Sequence, residues 1–500
     1  LSSSPSISGD EELLRSLGYQ PQLARRMGGF GNFALSFSVI SILSGCMTLF
    51  LFGLMTGGPT VMMWGWALVG LMVLAVGASL AEVTSAYPVS GALYYQASKL
   101  GGPRWGYVTG WFNLLGLLGG MAAGPYGTAL FISAWLNLQL GYVPTPGRTL
   151  AIFAGLLVLL AVLNLGGVRL VSLLNAVSVW WHVVGVAVIV GALLVIPDHH
   201  QPASFVFGQF SNSTGWDHPL YVALLGLLLA QYTFSGYDAS AHLSEETVDA
   251  QRAAARGIVR SIFWSWIAGF VLLAGLLFAI QDYQRTLTSP TKSAPAQIFL
   301  DALGSNLAKA LLLIVILAQI FCANAGLASA SRMVFAFSRD NALPFSDLWR
   351  RLSTRTKTPV AAVWLSVAVP FLLALPSLFS TTAYTAITTI NVIGITPAYA
   401  IPIYLRLRAG SRFTPGPWNL GSWSRIVGWI AVSWVGFVTI LFCLPPVHPV
   451  TAATFNYAPL ALITVLTVAA IFWATRGRRT YAIPSYGSQG ELKQMEDDIV

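Results

Sequence analysis

The chain has little charge. Asp, Glu, Lys and Arg make up 9% of its 500 residues, against about 25% in soluble domains. With hydrophobic residues at 55% and a mean hydropathy of +0.69, that shortage excludes a soluble enzyme and leaves a polytopic membrane protein. Acidic residues are the scarcer sign, 18 against 27 Lys and Arg. The net charge of +9 does not point to nucleic acid, because the basic residues sit between apolar runs, where orientation bias places them. Cysteine is nearly absent. Cys46, Cys322 and Cys443 lie in apolar stretches and are read as small core hydrophobes rather than disulfide partners. No GxxxxGK[ST] loop occurs, so ATP-driven transport has no support. No nucleophile–base set or metal cluster stands out, so no enzyme, metal or cofactor is expected. His199, His200 and His218 lack metal-ligand spacing and are read as a solvated loop. The N-terminal stretch lacks the apolar core of a signal peptide.

What is abundant is apolar runs of about 20 residues. Twelve are expected, at 31–56, 62–85, 104–136, 150–168, 171–196, 219–241, 258–280, 304–335, 359–378, 383–406, 425–445 and 454–475. An even count puts both termini on one side. Arg25, Arg26, Lys99, Arg104, Arg169, Arg332, Arg339, Arg355, Arg406, Arg476 and Lys493 fall on that side; Arg148, Arg285 and Lys292 fall opposite. The termini are therefore expected in the cytoplasm and the chain in the plasma membrane. Arg252, Arg256 and Arg260 recur every fourth residue in QRAAARGIVR, which reads as a short interfacial helix meeting lipid headgroups. Residues 1–30 and 476–500 are expected to be cytoplasmic ends.

Two of these runs are interrupted. The sixth passes through Phe234, Ser235, Gly236, Tyr237 and Asp238, polar and small residues that are costly in lipid unless the helix breaks there beside a cavity. The first contains Ser38, Ile40, Ser41, Ser44 and Gly45, with weak helix preference; helix packing accounts for these residues equally well. Half-helix starts offer N–H groups to a carboxylate, and half-helix ends offer carbonyls to an ammonium. Together they suit a zwitterion. Phe234 and Tyr237 are placed to close over a substrate amine, or to pack in the core. Asp238 is read as a cap on the resumed helix rather than a cation ligand. The interrupted first and sixth runs each head a group of five. Five is odd, so the second group enters from the opposite side, giving an inverted repeat over 31–196 and 197–406 with 425–475 added.

Other polar residues lie at depth. Glu82 is read as sitting at the cytoplasmic interface at little cost. Asn113 and Asn324 are placed to hydrogen-bond between helices. Ser329 and Ser331 offer hydroxyls without an acidic ligand, too little for a sodium site. His182 lies mid-run after Trp180 and Trp181; it is either a proton-coupling residue or a neutral packing residue.

Several motifs then point to a family. Leu80–Tyr95, LAEVTSAYPVSGALYY, resembles a signature of the amino acid–polyamine–organocation superfamily. Gly110-Trp111-Phe112-Asn113 is similar to its third-helix element. Phe234–Glu246 resembles the sixth-helix motif of the amino acid/choline transporter branch. Ser331-Arg332 with Ser338–Pro344 resembles a further segment, with Asn341 in place of the usual glycine. The resemblance covers roughly 25–475. It implies an all-α fold of twelve transmembrane helices, a LeuT-like five-plus-five inverted repeat with two added helices, alternating access, and substrate at the first and sixth breaks. It also implies that His182 falls where many sodium-independent members have a lysine.

The expected function is secondary uptake of an amino acid or related zwitterion, γ-aminobutyrate among them, coupled to H+. The alternatives are a choline, ethanolamine or polyamine carrier of the same fold, and a non-transporting membrane receptor. Membrane lipid is the other expected partner.

Overall fold

The computed structural model describes residues 5–19, 23, 25–289, 291, 293–354, 356–380 and 382–481. The charges expected at Lys292, Arg355 and Lys493, and residues 482–500 of the C-terminal end, lie outside these. Among the described residues the fold is all helical, and eleven helices are long and apolar enough to cross a membrane. The expected sixth run differs. Its apolar helix, Pro219–Thr233, stops well short of residue 241, because the backbone leaves helical geometry at Phe234. The other runs fall close to their expected places. The eighth, Ala294–Arg339, bends at Gly304, where φ is 75°, so its expected start at 304 is a kink inside a longer helix.

The helices divide by burial. The apolar windows of the third helix (Pro103–Leu140) and the tenth (Ala383–Arg412) are 83% buried, whereas that of the twelfth (Ala458–Thr480) is 11% buried. The third and tenth are therefore the inner wall of the bundle, and Asn391 ties them by donating Nδ2 to the Gly116 carbonyl at 2.8 Å. The outer helices expose Trp180, Val183, Leu173 and Ile463. Apolar surface on that scale is tolerated only against lipid or another apolar partner.

Two expectations need correction. Arg252, Arg256 and Arg260 form no separate interfacial helix; they occupy the first turns of the continuous helix Ala250–Phe278. Nothing in QRAAARGIVR breaks a helix, and the apolar run that follows extends it without interruption. Glu82 does not sit cheaply at an interface. It is 3% exposed and pairs with Arg406 at 2.7 Å, while Ser424 Oγ and the Leu420 N–H also donate to it. The carboxylate thus joins the second, tenth and eleventh helices.

Removing one partner of a buried ion pair strands the other, at roughly 3–5 kcal/mol. Glu82→Ala should therefore lower the melting temperature in detergent clearly. The double variant Glu82→Met with Arg406→Met should lose much less than the two single losses added together.

Candidate functional site

The two interruptions are real, and they meet. The first helix runs Gly29–Ile40, breaks at Ser41 (φ 25°, ψ 90°), and resumes as Ile42–Thr48. The sixth ends at Thr233 and resumes as Ala239–His242, with Gly236 at φ 81°. Glycine is needed at that positive φ. A side chain there would also strike Val39 Cγ1 of the first helix. Gly45 is the reciprocal contact, since a Cβ on it would lie 2.8 Å from the Thr233 backbone. The half-helices are stitched below this contact. Ser36 Oγ donates to the Tyr237 carbonyl at 2.7 Å and accepts from the Ser240 N–H at 2.9 Å. Asn32 Nδ2 donates to the Ser240 carbonyl at 2.9 Å.

A cavity of about 60 Å³ lies between the breaks. Ile40, Ser44, Gly45, Ser235 and Gly236 line it, as do Tyr232, Cys322 and Asn391. No Asp, Glu, Lys, Arg or His is among its lining residues. Ser235 Oγ lies 2.7 Å from the Tyr232 carbonyl and 2.9 Å from Asn391 Oδ1. Cys322 Sγ–H points at the Val39 carbonyl, 3.3 Å away, one of the carbonyls freed by the break. Cys322 is therefore not simple core filling, and all three cysteines are unbonded.

Other expected site residues lie elsewhere. Phe234 is fully buried against Trp66, ring centres 4.4 Å apart. Tyr237 packs on Tyr399 at 4.5 Å. Ser38 is buried with its hydroxyl unpartnered. Ser41 joins His182, whose Nε2 is 2.7 Å from its hydroxyl. His182 Nδ1 faces the Ser178 carbonyl at 2.8 Å, and a carbonyl only accepts, so Nδ1 carries a proton. His182 is fully buried, with no carboxylate among its hydrogen-bond partners.

Asp238 does not cap the resumed helix; its side chain makes no capping bond. Its Oδ1 accepts from Tyr399 Oη at 2.8 Å and its Oδ2 from Asn113 Nδ2 at 3.1 Å, and Oδ2 shares a hydrogen bond with His242 Nε2 at 3.0 Å. The partners come from the third and tenth helices and from its own. These side-chain donors hold the carboxylate away from the N–H groups it was expected to cap. Asn113 does bond between helices, and so does Asn324, which accepts from Asn164 Nδ2 at 2.9 Å. Ser329 and Ser331 bond back to their own helix at Ala325 and Ala328.

The two faces of the bundle differ. On the face carrying the N-terminus, Arg339 pairs with Glu245 at 3.3 Å and Arg332 with Glu246 at 3.1 Å. The segment before the first membrane helix lies over them. Its helix Pro5–Ser16 buries Leu14, and Tyr19 and Tyr94 both donate to Asp340 Oδ2 at 2.9 Å. Arg339 stacks over the Tyr19 ring, 4.0 Å from its centre. On the other side of the cavity, Thr48, Phe52, Ser293, Thr382 and Tyr384 line a vestibule of about 320 Å³. The cavity is thus sealed by ion pairs on its N-terminal side and faces the vestibule on the opposite one.

Sequence reasoning missed Tyr399, Asn391, His242 and the glutamate–arginine pairs. Asn391 and Tyr399 carry no local signal, because an uncharged polar residue in an apolar run looks the same whether or not it faces a cavity. Glu245, Glu246, Arg332 and Arg339 stood in the recognised motifs, but sequence separation hid their pairing.

Burial pushes Asp340 up to about 6, against the stabilising Arg339 charge and the two tyrosine hydroxyls. The native state therefore binds this proton more tightly than the unfolded chain does. The stability it contributes is present below the ordinary value near 3.8 and is lost as pH rises through about 6. Melting temperature should fall across that window, and Asp340→Asn should remove that part of the slope. Gly45→Ala should push the two breaks apart and lower the melting temperature, while the protein remains a monodisperse helical species by circular dichroism.

A family model described as amino acid permease matches residues 28–468. The chain is 37% identical to the amino-acid permease BAT1 of Arabidopsis thaliana, over 96% of this chain and 97% of that protein. It is 37% identical to the BAT1 homolog of Oryza sativa, over 94% of each. It is also 29% identical to the GABA-specific permease of Saccharomyces cerevisiae, over 95% of this chain and 86% of that one. Broken helices around a cavity, most of the chain's length, and these identities agree: the chain belongs to the amino acid permease family of the amino acid–polyamine–organocation superfamily, a membrane transporter and not an enzyme.

Proposed function

We propose that the chain imports a compact zwitterion, an amino acid such as γ-aminobutyrate, by proton-coupled alternating access. The observation that carries this reading is the cavity at the paired breaks. It is lined by apolar side chains such as Ile40, Leu117 and Met121, by neutral polar groups and by no charged side chain. Such a site suits a ligand that brings both charges itself. Its carboxylate takes freed N–H groups near Gly236, and its ammonium takes freed carbonyls near Val39, where Cys322 now donates weakly. A polyamine or choline would bring positive charge with no carboxylate to meet it. The Arabidopsis and yeast relatives, an amino-acid permease and a GABA-specific permease, favour the same substrate class.

In this reading residues 31–196 and 197–406 are the two inverted repeats, and 425–475 are additions. The helix Pro219–Thr233 and the piece after it together make a twelfth crossing. The N-terminal face is cytoplasmic, so the sealed side faces the cytoplasm and the vestibule faces outside the plasma membrane. His182 is the coupling residue. As a neutral ring its Nε2 accepts from Ser41; once protonated it donates instead. Because Ser41 is the break itself, the proton changes a bond at the hinge.

In proteoliposomes an inward proton gradient should accelerate γ-aminobutyrate or alanine uptake without sodium. Uptake that needs sodium and ignores pH sinks the coupling. Putrescine and choline should compete poorly; strong competition by either favours an organic-amine carrier. His182→Gln should cut the gradient's effect by about tenfold, the worth of one hydrogen bond of about 1.4 kcal/mol, with binding kept.

A further inference from the structure

A second buried histidine sits under the cavity. Asp238 and His242 are both fully buried and 3.0 Å apart. The ring's other nitrogen, Nδ1, faces the Ser90 carbonyl at 3.2 Å. A carbonyl cannot donate, so Nδ1 carries a proton. Nε2 and Oδ2 then need one more proton between them. Either the ring is an imidazolium facing a carboxylate, or a neutral ring accepts from a carboxylic acid. In both forms the pair holds one proton more than a neutral histidine and an ionised aspartate.

The surroundings leave that proton to the pair. Asn113 from the third helix and Tyr399 from the tenth donate to Asp238, and neither is charged. Tyr237, the adjoining residue, packs on the Tyr399 ring. On the His242 side, the Ser90 N–H donates to Glu245 at 3.0 Å, and Glu245 is paired with Arg339. Glu246 is paired with Arg332. The neighbouring acids have arginines; Asp238 has only the histidine.

Tyr399 links the pair to the cavity. Its hydroxyl accepts the Gly236 N–H at 3.0 Å and donates to Asp238 at 2.8 Å. Gly236 lines the cavity. We propose that Asp238 and His242 are a proton-binding pair whose affinity for the proton is set by substrate through Tyr399. The proposal rests on the reading of the cavity as the substrate site. A substrate carboxylate that takes the Gly236 N–H also draws the Tyr399 hydroxyl toward itself. Asp238 then loses a donor that held its charged form, which favours a proton on the pair. Where the pair has lost its proton it takes one up from water, and the only new covalent bond is the O–H or N–H to that proton. By linkage, the proton strengthens substrate binding to the same extent. The far end of the pair holds Ser90, and through it Glu245 and Arg339 of the seal, so release of the proton loosens a contact there.

Calorimetric titration of the full chain in nanodiscs, with γ-aminobutyrate and alanine as probes, tests this in buffers of different ionisation enthalpy. Wild type should take up protons on binding. Tyr399→Phe and His242→Gln should bind with that uptake lost. Should His242→Gln fail to fold, Tyr399→Phe decides, since it removes one hydroxyl and keeps the ring. Binding with wild-type proton uptake in Tyr399→Phe overturns the proposal alone. Binding of neither probe to wild type overturns the substrate reading, and the proposal with it.

Discussion

Backbone amides in an apolar medium must find partners, and the fold is arranged around the two places where the helical ladder fails to supply them. At Ser41 and at 234–238 the chain leaves helical geometry in the middle of the bundle. Each break is tolerable because other elements bring polar groups to it. Tyr399 takes the Gly236 amide, Cys322 meets the Val39 carbonyl, and Gln319 donates to the Leu43 carbonyl at 3.2 Å. Four helices are thereby fixed around one point. A freely exchangeable ligand is the remaining kind of partner such a place can accept.

Charge is distributed by the same logic. The cavity has no charged side chain, while one turn below it Asp238 and His242 face each other, and beyond them lie Glu245 with Arg339 and Glu246 with Arg332. Charges buried this deeply are tolerated when paired and hydrogen-bonded. They contribute little net stability, but they hold one arrangement, because an unpaired member is expensive. That makes the N-terminal face an all-or-none seal. On the opposite face, none of the described residues that line the vestibule, Thr48, Phe52 and Tyr384 among them, is charged.

The architecture was largely legible in the sequence, because apolar length and the cost of polar residues in lipid act locally. Gly236 announced itself by composition, Ser41 stood as a break with helix packing as an equal alternative, and eleven of the expected runs appear as long apolar helices. What was not legible depends on partners far along the chain. Asp238 follows a helix break, and local geometry alone predicts a cap. It bonds instead to Asn113 and Tyr399, which lie 125 and 161 residues away. Glu82 looked interfacial because it ends an apolar run, yet Arg406 meets it from the tenth helix. Phe234 and Tyr237 looked like lids because they flank the break. Trp66 and Tyr399 were already there to pack against them.

The thickness of the seal bears on what could open it. Shifting a two-state protein from mostly one face open to mostly the other takes a differential affinity of about 5.5 kcal/mol. A zwitterion at the breaks replaces existing bonds, such as Gly236 to Tyr399 and Cys322 to Val39, and each net hydrogen bond is worth about 0.5–1.5 kcal/mol. A handful of exchanged bonds falls short of that difference. Under the proposed cycle a second binding event must therefore supply the remainder, and it must act on groups joined to both the cavity and the seal. His182 touches the break at Ser41. Asp238 and His242 run from Tyr399 at the cavity to Ser90 beside Glu245. A proton bound at either place changes bonds at an element both states share, which is the requirement for coupling the two ligands.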